Sequence, residues 1–134
     1  MNEAILVVDD NRALRDMARR HLSALGYKMG FAESGPVALE LLRSGEKFDL
    51  LFTDVVMPCG MTGYQLAEAA RRLQPGLRVL FTTGYADAVA TSGHEDQAAR
   101  HMLRKPYRRK ELAEKIRSVL GTPQAIATRN DVRP

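Results

Sequence analysis

The chain has 134 residues, the usual size of one domain, with 45% hydrophobic residues but only 6% aromatic and no Trp, so its core must be aliphatic. A lone cysteine, Cys59, excludes an intrachain disulfide; no run of about 18 apolar residues offers a membrane span, and the N-terminus lacks the regions of a secretory signal, so a cytoplasmic protein is expected. The net charge of +4 gathers between Arg100 and Arg117, where eight Lys/Arg meet two Glu, but without aromatic interleaving or zinc-finger spacing this reads as a solvated face and not a nucleic-acid site.

Short apolar runs alternate with helical patterns. Ala4 to Val8 is a strand-length run that stops at Asp9-Asp10. Leu14, Met17, Ala18, Leu22 and Leu25 then recur at a helical period, and Gly26 stops that helix. Tyr27 to Ala32 reads as a second strand. Gly35-Pro36 opens a second helix with Val37, Leu41 and Leu42 inward, and Gly45 ends it. Phe48 to Thr53 is a third strand, again stopped by an acid, Asp54. Met57 to Gly63 is a loop by its Pro and Gly content.

A third helix places Leu66, Ala67, Ala70 and Leu73 inward and ends before Pro75-Gly76. Leu77 to Thr82 is the fourth strand. Ala86 to Ala90 is a candidate short helix, and residues 91–96 are turn-rich. His101 to Arg104 is a fifth strand, leading into Lys105-Pro106, whose X-Pro bond is a candidate for cis. The last helix spans about Arg108 to Leu120, burying Leu112, Ile116, Val119 and Leu120. Residues 122–134 lack periodicity and read as a tail to a domain over 1–121.

Such alternation implies an α/β fold: a doubly wound, flavodoxin-like parallel sheet of five strands, ordered 2-1-3-4-5, with helices on both faces. Ligands then bind where strands 1 and 3 part at their carboxyl ends. Those are the two strands that end in carboxylates, so Asp9, Asp10 and Asp54 converge in one crevice. Asp10 or Asn11 alone could be a helix cap and Asp54 alone a turn residue. Together they form an oxygen-only cluster that suits Mg²⁺. Thr83 ends strand 4 with a hydroxyl, and Lys105 ends strand 5 with the cation that could pair with the acids or with a phosphoryl oxygen.

The series VVDD, FTDVVMP, FTTGYA and LRKPY, in this order over roughly residues 3–121, resembles the receiver domain of two-component response regulators. The stretch from Asp54 to Ala86 is most similar to receivers of hybrid sensor histidine kinases and of stand-alone relatives. The resemblance implies that Asp54 is the phosphoacceptor, taking phosphoryl from a phosphohistidine of a histidine kinase or histidine phosphotransfer protein. It implies that Asp10, Asp54 and the backbone carbonyl of Val56 hold Mg²⁺, with Asp9 helping through water. Thr83 and Lys105 would contact the phosphoryl group, and their movement would switch binding of a downstream partner or phosphorelay.

The sequence departs from the family pattern at three points. The loop after Asp54 is one residue longer than is usual, at Cys59-Gly60. Met102 stands where a switch aromatic is common, beside His101, with Tyr85 and Tyr107 at other positions. The fourth helix is short. His21, His94 and His101 show no ligand spacing, and nothing marks Cys59 as activated. Two other readings fit less well. An aspartate-nucleophile phosphatase would need substrate-binding insertions that the chain has little room for, so no turnover enzyme is expected. A basic nucleic-acid module would bind independently of Asp54.

Overall fold

The computed structural model describes residues 3–57, 60–83 and 102–121. The elements are β1 (Ala4–Val8), α1 (Arg12–Leu25), β2 (Lys28–Ala32), α2 (Gly35–Arg43), β3 (Leu50–Asp54), α3 (Gly63–Leu73), β4 (Arg78–Thr83), β5 (Met102–Arg104) and α4 (Arg109–Gly121). The expectations for Cys59, the helix over 86–90, the turns over 91–96, Tyr85, His94, His101 and the tail over 122–134 lie outside the described residues.

The strands form one parallel sheet in the order β2-β1-β3-β4-β5. The inner strands β1 and β3 are near-continuous apolar runs, broken only by Thr53 and Asp54, because both faces of the sheet are covered there. Strand alternation sends Ile5, Val7, Leu50, Phe52, Leu80 and Leu103 to one face, against Ala18 and Leu22 of α1 and Leu112, Ile116 and Val119 of α4. Leu6, Val8, Leu51 and Val79 face the other way, against Ala38, Leu39 and Leu42 of α2 and Leu66, Ala67 and Ala70 of α3. Both layers are mainly aliphatic, as expected from a sequence without Trp, though Tyr27, Phe52 and Tyr107 join the first.

Polar residues set the helix ends. Asn11 caps α1, accepting from the Leu14 N–H at 3.2 Å, and Gly26 closes it in the left-handed region at φ 88°. Ser34 caps α2, accepting from the Val37 N–H at 3.3 Å. Thr62 and Gln65 form a capping box at α3, with reciprocal bonds of 3.1 and 2.9 Å.

Several expectations are corrected. Val37 and Leu73, expected inward, are 38% and 41% exposed. Starting α2 at Gly35 puts positions 35, 38, 39 and 42 on the core stripe, which leaves Val37 off it. Leu73 is the last residue of α3, and Leu77 is the residue buried beyond that end. Leu41 and Leu120 are half-buried. Strands β3 and β4 each run one residue further than expected, so Asp54 pairs with Thr82, and Thr83 with Arg104. That extension holds the backbone of both residues in the sheet.

Candidate functional site

Chain crossings to opposite faces open the crevice. After β1 the chain enters α1 on one face; after β3 it enters α3 on the other. The carboxyl ends of these adjacent strands are the switch point of the sheet. Asp9 and Asp10 follow β1, and Asp54 is the last residue of β3. Carboxylate oxygens of all three lie within 4.8 Å of one another. Asp9 and Asp54 are buried at 7% and 5% exposure, while Asp10 is exposed.

Asp9 is fixed from several sides. Its N–H donates to the Ala32 carbonyl at 3.2 Å, continuing the β1–β2 pairing. Its Oδ1 accepts from the Asn11 N–H at 2.9 Å, and its carbonyl accepts from the Arg15 guanidinium at 2.7 Å. Arg15 thus ties the β1–α1 turn to the first turns of the helix.

Lys105 crosses the crevice. Its N–H donates to the Thr83 carbonyl at 2.8 Å, so the β4–β5 pairing carries it past the strand end, and its peptide bond to Pro106 is cis. Its Nζ donates to Asp54 Oδ2 at 3.1 Å and to Asp9 Oδ2 at 3.3 Å. Burial works against the Lys105 charge, but the Asp9 and Asp54 carboxylates together outweigh it, and its pKa stands above the usual lysine value. Thr83 is buried at 4% as the final residue of β4, next to the Thr82 that pairs with Asp54.

The backbone behind Asp54 is equally constrained. The Val55 N–H donates to the Thr82 carbonyl at 3.0 Å, and the Val55 carbonyl accepts from the Gly63 N–H at 2.7 Å. A Cβ at Gly63 would run into the Asp54 carbonyl oxygen and come within 3.0 Å of Val55 Cα. Only a glycine at the start of α3 lets the helix lie against the strand end here. Val56 turns its side chain outward, at 41% exposure.

Met102 is half-buried and pairs with Phe81, whose ring lies 4.8 Å from that of Tyr64 at the start of α3. Tyr107 is buried against Phe52, with ring centroids 6.0 Å apart, and burial followed by the nearby Asp9 charge pushes its pKa up to about 12. His21 accepts from Arg109 Nε at 3.1 Å, joining α1 to α4. Burial and then the charges of Arg109 and Arg20 lower its pKa.

Asp9, Asp10, Asp54, Val56, Thr83 and Lys105 thus lie at this end of the sheet, and Asp9, Asp10, Asp54 and Lys105 are brought together directly. The sequence pattern singles out neither Arg15 nor Gly63, and Tyr107 stands out only as an aromatic away from the switch position. An arginine one turn after the N-cap Asn11 and a glycine at the first helical position after the loop were the available signals. Three acids against one ammonium leave a cluster with an excess of negative charge and oxygen-only donors. That donor set suits a hard divalent cation, which a thiol- or imidazole-based site would not favour.

A family model for the response regulator receiver domain matches residues 5–117. Response regulator receiver protein CpdR of Brucella abortus is 32% identical over 116 residues, covering 87% of this chain and 95% of CpdR. Sensor kinase CckA of the same organism is 33% identical over 117 residues, covering 87% of this chain and 12% of CckA. The chain therefore spans almost all of one relative and a small part of the other. In three dimensions, a response regulator receiver protein from Sinorhizobium medicae superposes with a TM-score of 0.76 at 28% identity, covering 90% of this chain and 95% of that one. With the parallel order β2-β1-β3-β4-β5 and the acidic switch point already in place, these matches show that the chain belongs to the response regulator receiver domain family, the phosphoaccepting module of two-component signal transduction.

Proposed function

We propose that Asp54 is the phosphoacceptor, that Asp9, Asp10, Asp54 and the Val56 carbonyl bind Mg²⁺, and that Thr83 and Lys105 receive the phosphoryl group. The observation that carries this reading is the contact of one ammonium, Lys105 Nζ, with both Asp54 and Asp9 inside a cluster of three acids. The donor is the phosphohistidine of a histidine kinase or histidine phosphotransfer protein. A carboxylate oxygen of Asp54 attacks phosphorus, the phosphorus–nitrogen bond breaks, and the imidazole keeps the electron pair and takes up a proton.

Little covalent chemistry falls to the protein in such a transfer; its work is positioning and charge neutralisation. The sheet pairing and Gly63 hold the Asp54 backbone still. Lys105, already beside the carboxylate, pairs with the transferred phosphoryl oxygens, and the Thr83 hydroxyl donates to them. Asp9, Asp10 and Asp54 would hold Mg²⁺, which would add positive charge to the site.

The added phosphoryl charge and acceptor oxygens would draw Thr83 and Lys105 together, changing the adjoining surface for a downstream protein or for onward relay. The reading takes residues 1–121 as the receiver with 122–134 as a tail. It treats the chain as a phosphoacceptor that assists its own labelling, without a separate substrate to turn over. It assigns a cytoplasmic setting, where such donors are made, and no direct nucleic-acid ligand.

Incubation with acetyl phosphate and Mg²⁺ tests this, with phosphorylation read by intact-mass spectrometry. The wild type should gain one phosphoryl group and Asp54→Asn none. A wild type that stays unlabelled, or an Asp54→Asn variant labelled equally, would overturn the assignment.

A further inference from the structure

Asp9 lines a small, partly open pocket of about 10 Å³, just the room that one water needs. Leu14, Ala18 and Phe52 form much of its apolar wall. Three polar residues also line it: Asp9, Thr82 and Tyr107. A purely apolar cavity of this size would stay dry, whereas a water needs two to four polar partners, which these three can supply.

Each partner is held in place. Thr82 is buried at 4% and lies on the same face of β4 as Leu80, two residues before it, toward α1 and α4. The Tyr107 ring sits between Phe52 and His21, with centroids 6.0 and 6.1 Å away, which fixes the direction of its hydroxyl. That hydroxyl is close enough to Asp9 for the carboxylate charge to raise its pKa. The Asp9 carboxylate accepts one bond at Oδ1 from Asn11 and one at Oδ2 from Lys105, and a carboxylate has capacity for about four.

We propose that one ordered water in this pocket joins the hydroxyls of Thr82 and Tyr107 to the Asp9 carboxylate, making both hydroxyl side chains positioning residues for the cation-binding acid. The water donates one hydrogen to Asp9 and accepts from the Tyr107 hydroxyl, and the Thr82 hydroxyl completes its shell. The carboxylate then has its orientation set from below by the water, from one side by Asn11 and from across the crevice by Lys105. Partners that orient a metal-binding group shape affinity nearly as much as the ligands do. The inference rests on the reading of Asp9 as part of the Mg²⁺ site.

The test combines a high-resolution crystal structure of the wild type with Mg²⁺ titrations followed by NMR. The crystal structure should hold an ordered water within hydrogen-bond reach of Asp9, Thr82 and Tyr107. Tyr107→Phe and Thr82→Val should each weaken Mg²⁺ binding by about tenfold. The double variant should be no weaker than the worse single one, because both act through the same water. Thr82→Ser, which keeps the hydroxyl, should bind as the wild type does, a rescue that a purely structural role for Thr82 does not predict.

A cavity without water, variants that bind Mg²⁺ like the wild type, or losses that multiply in the double variant would each overturn the proposal. If Tyr107→Phe fails to fold, the nearly isosteric Thr82→Val and the wild-type crystal structure still decide it. A wild type that does not bind Mg²⁺ at all would sink the cation site proposed above and this inference with it. A wild type that binds while both variants bind equally well would sink this inference alone.

Discussion

Lys105 Nζ stands 3.1 Å from Asp54 Oδ2, with both side chains largely withdrawn from water. The pair joins the end of the edge strand β5 to the end of the central strand β3, across the intervening β4. Replacing Lys105 by Met keeps the stem and removes the charge. Two carboxylates then face each other without their ammonium, so the variant should lose about 1–3 kcal/mol of stability in Mg²⁺-free buffer. Its Mg²⁺ affinity should hold or rise, since a competing cation is gone, while its phosphorylation by acetyl phosphate should slow by at least about a hundredfold. Denaturant melts, an NMR titration and a labelling time course separate these three effects.

Gly63 offers a probe of the backbone behind Asp54. A methyl group there meets the Asp54 carbonyl oxygen and Val55 Cα, neither of which can swing aside as a flexible side chain would. Gly63→Ala should therefore push α3 away from the strand end or move Asp54 itself, at a cost of about 1–3 kcal/mol. Labelling of Asp54 should fall even in the fraction that remains folded, which can be read by comparing phosphorylation rate with circular dichroism. A variant that is as stable and as readily labelled as the wild type would show that this close approach has no functional weight.

The contrast between Asp54 and Gly63 shows what a sequence makes legible here. Asp54, Asp9 and Lys105 are polar residues that end apolar strand runs, so one-dimensional alternation marks them and the parallel order brings them together. Among the described helices, α2 and α3 expose one residue each that is expected inward, Val37 and Leu73, and Leu41 and Leu120 are only half-buried. In α2, three apolar residues near a proline allow two stripes, and the Ser34 cap selects the one that exposes Val37. Gly63, Arg15 and Tyr107 owe their importance to close approach through space, to the Asp54 carbonyl, the Asp9 carbonyl and the Asp9 side chain respectively. The one-turn spacing of Arg15 from Asn11 and the glycine that opens α3 hint at two of these contacts, but nothing along the chain marks the approach of Tyr107 to Asp9.

Two groups near the crevice tie stability to alkaline pH. Tyr107 is raised from 10.0 to about 12, and Lys105 is raised above its ordinary 10.5. In both cases the folded protein keeps a proton that the unfolded chain has already released. Their contribution is complete below the unfolded values and is lost as pH climbs through the folded ones, so stability should decline from about pH 10 upward. The Tyr107 share is at most about 2–3 kcal/mol between pH 10 and 12. Urea unfolding across this range should show the fall, and Tyr107→Phe should flatten it. An equal decline in that variant would remove Tyr107 from the account.

Val56, two residues after Asp54, bears on how long a phosphoryl group would survive. Hydrolysis of an aspartyl phosphate needs a water aligned with the phosphorus–oxygen bond, and a side chain able to hydrogen-bond that water would lower the entropy cost of alignment. Val56 is exposed beside the crevice and has neither donor nor acceptor on its side chain. The phosphorylated protein should therefore lose its label slowly in Mg²⁺ buffer without an added phosphatase, over minutes or longer. Val56→Asn supplies an amide at the same position and should speed the loss by about tenfold, while leaving the rate of label uptake little changed. Decay measured by intact mass after removal of the donor decides the matter. Loss within seconds in the wild type, or an Asn variant as slow as the wild type, would mean that water is held by some group other than residue 56.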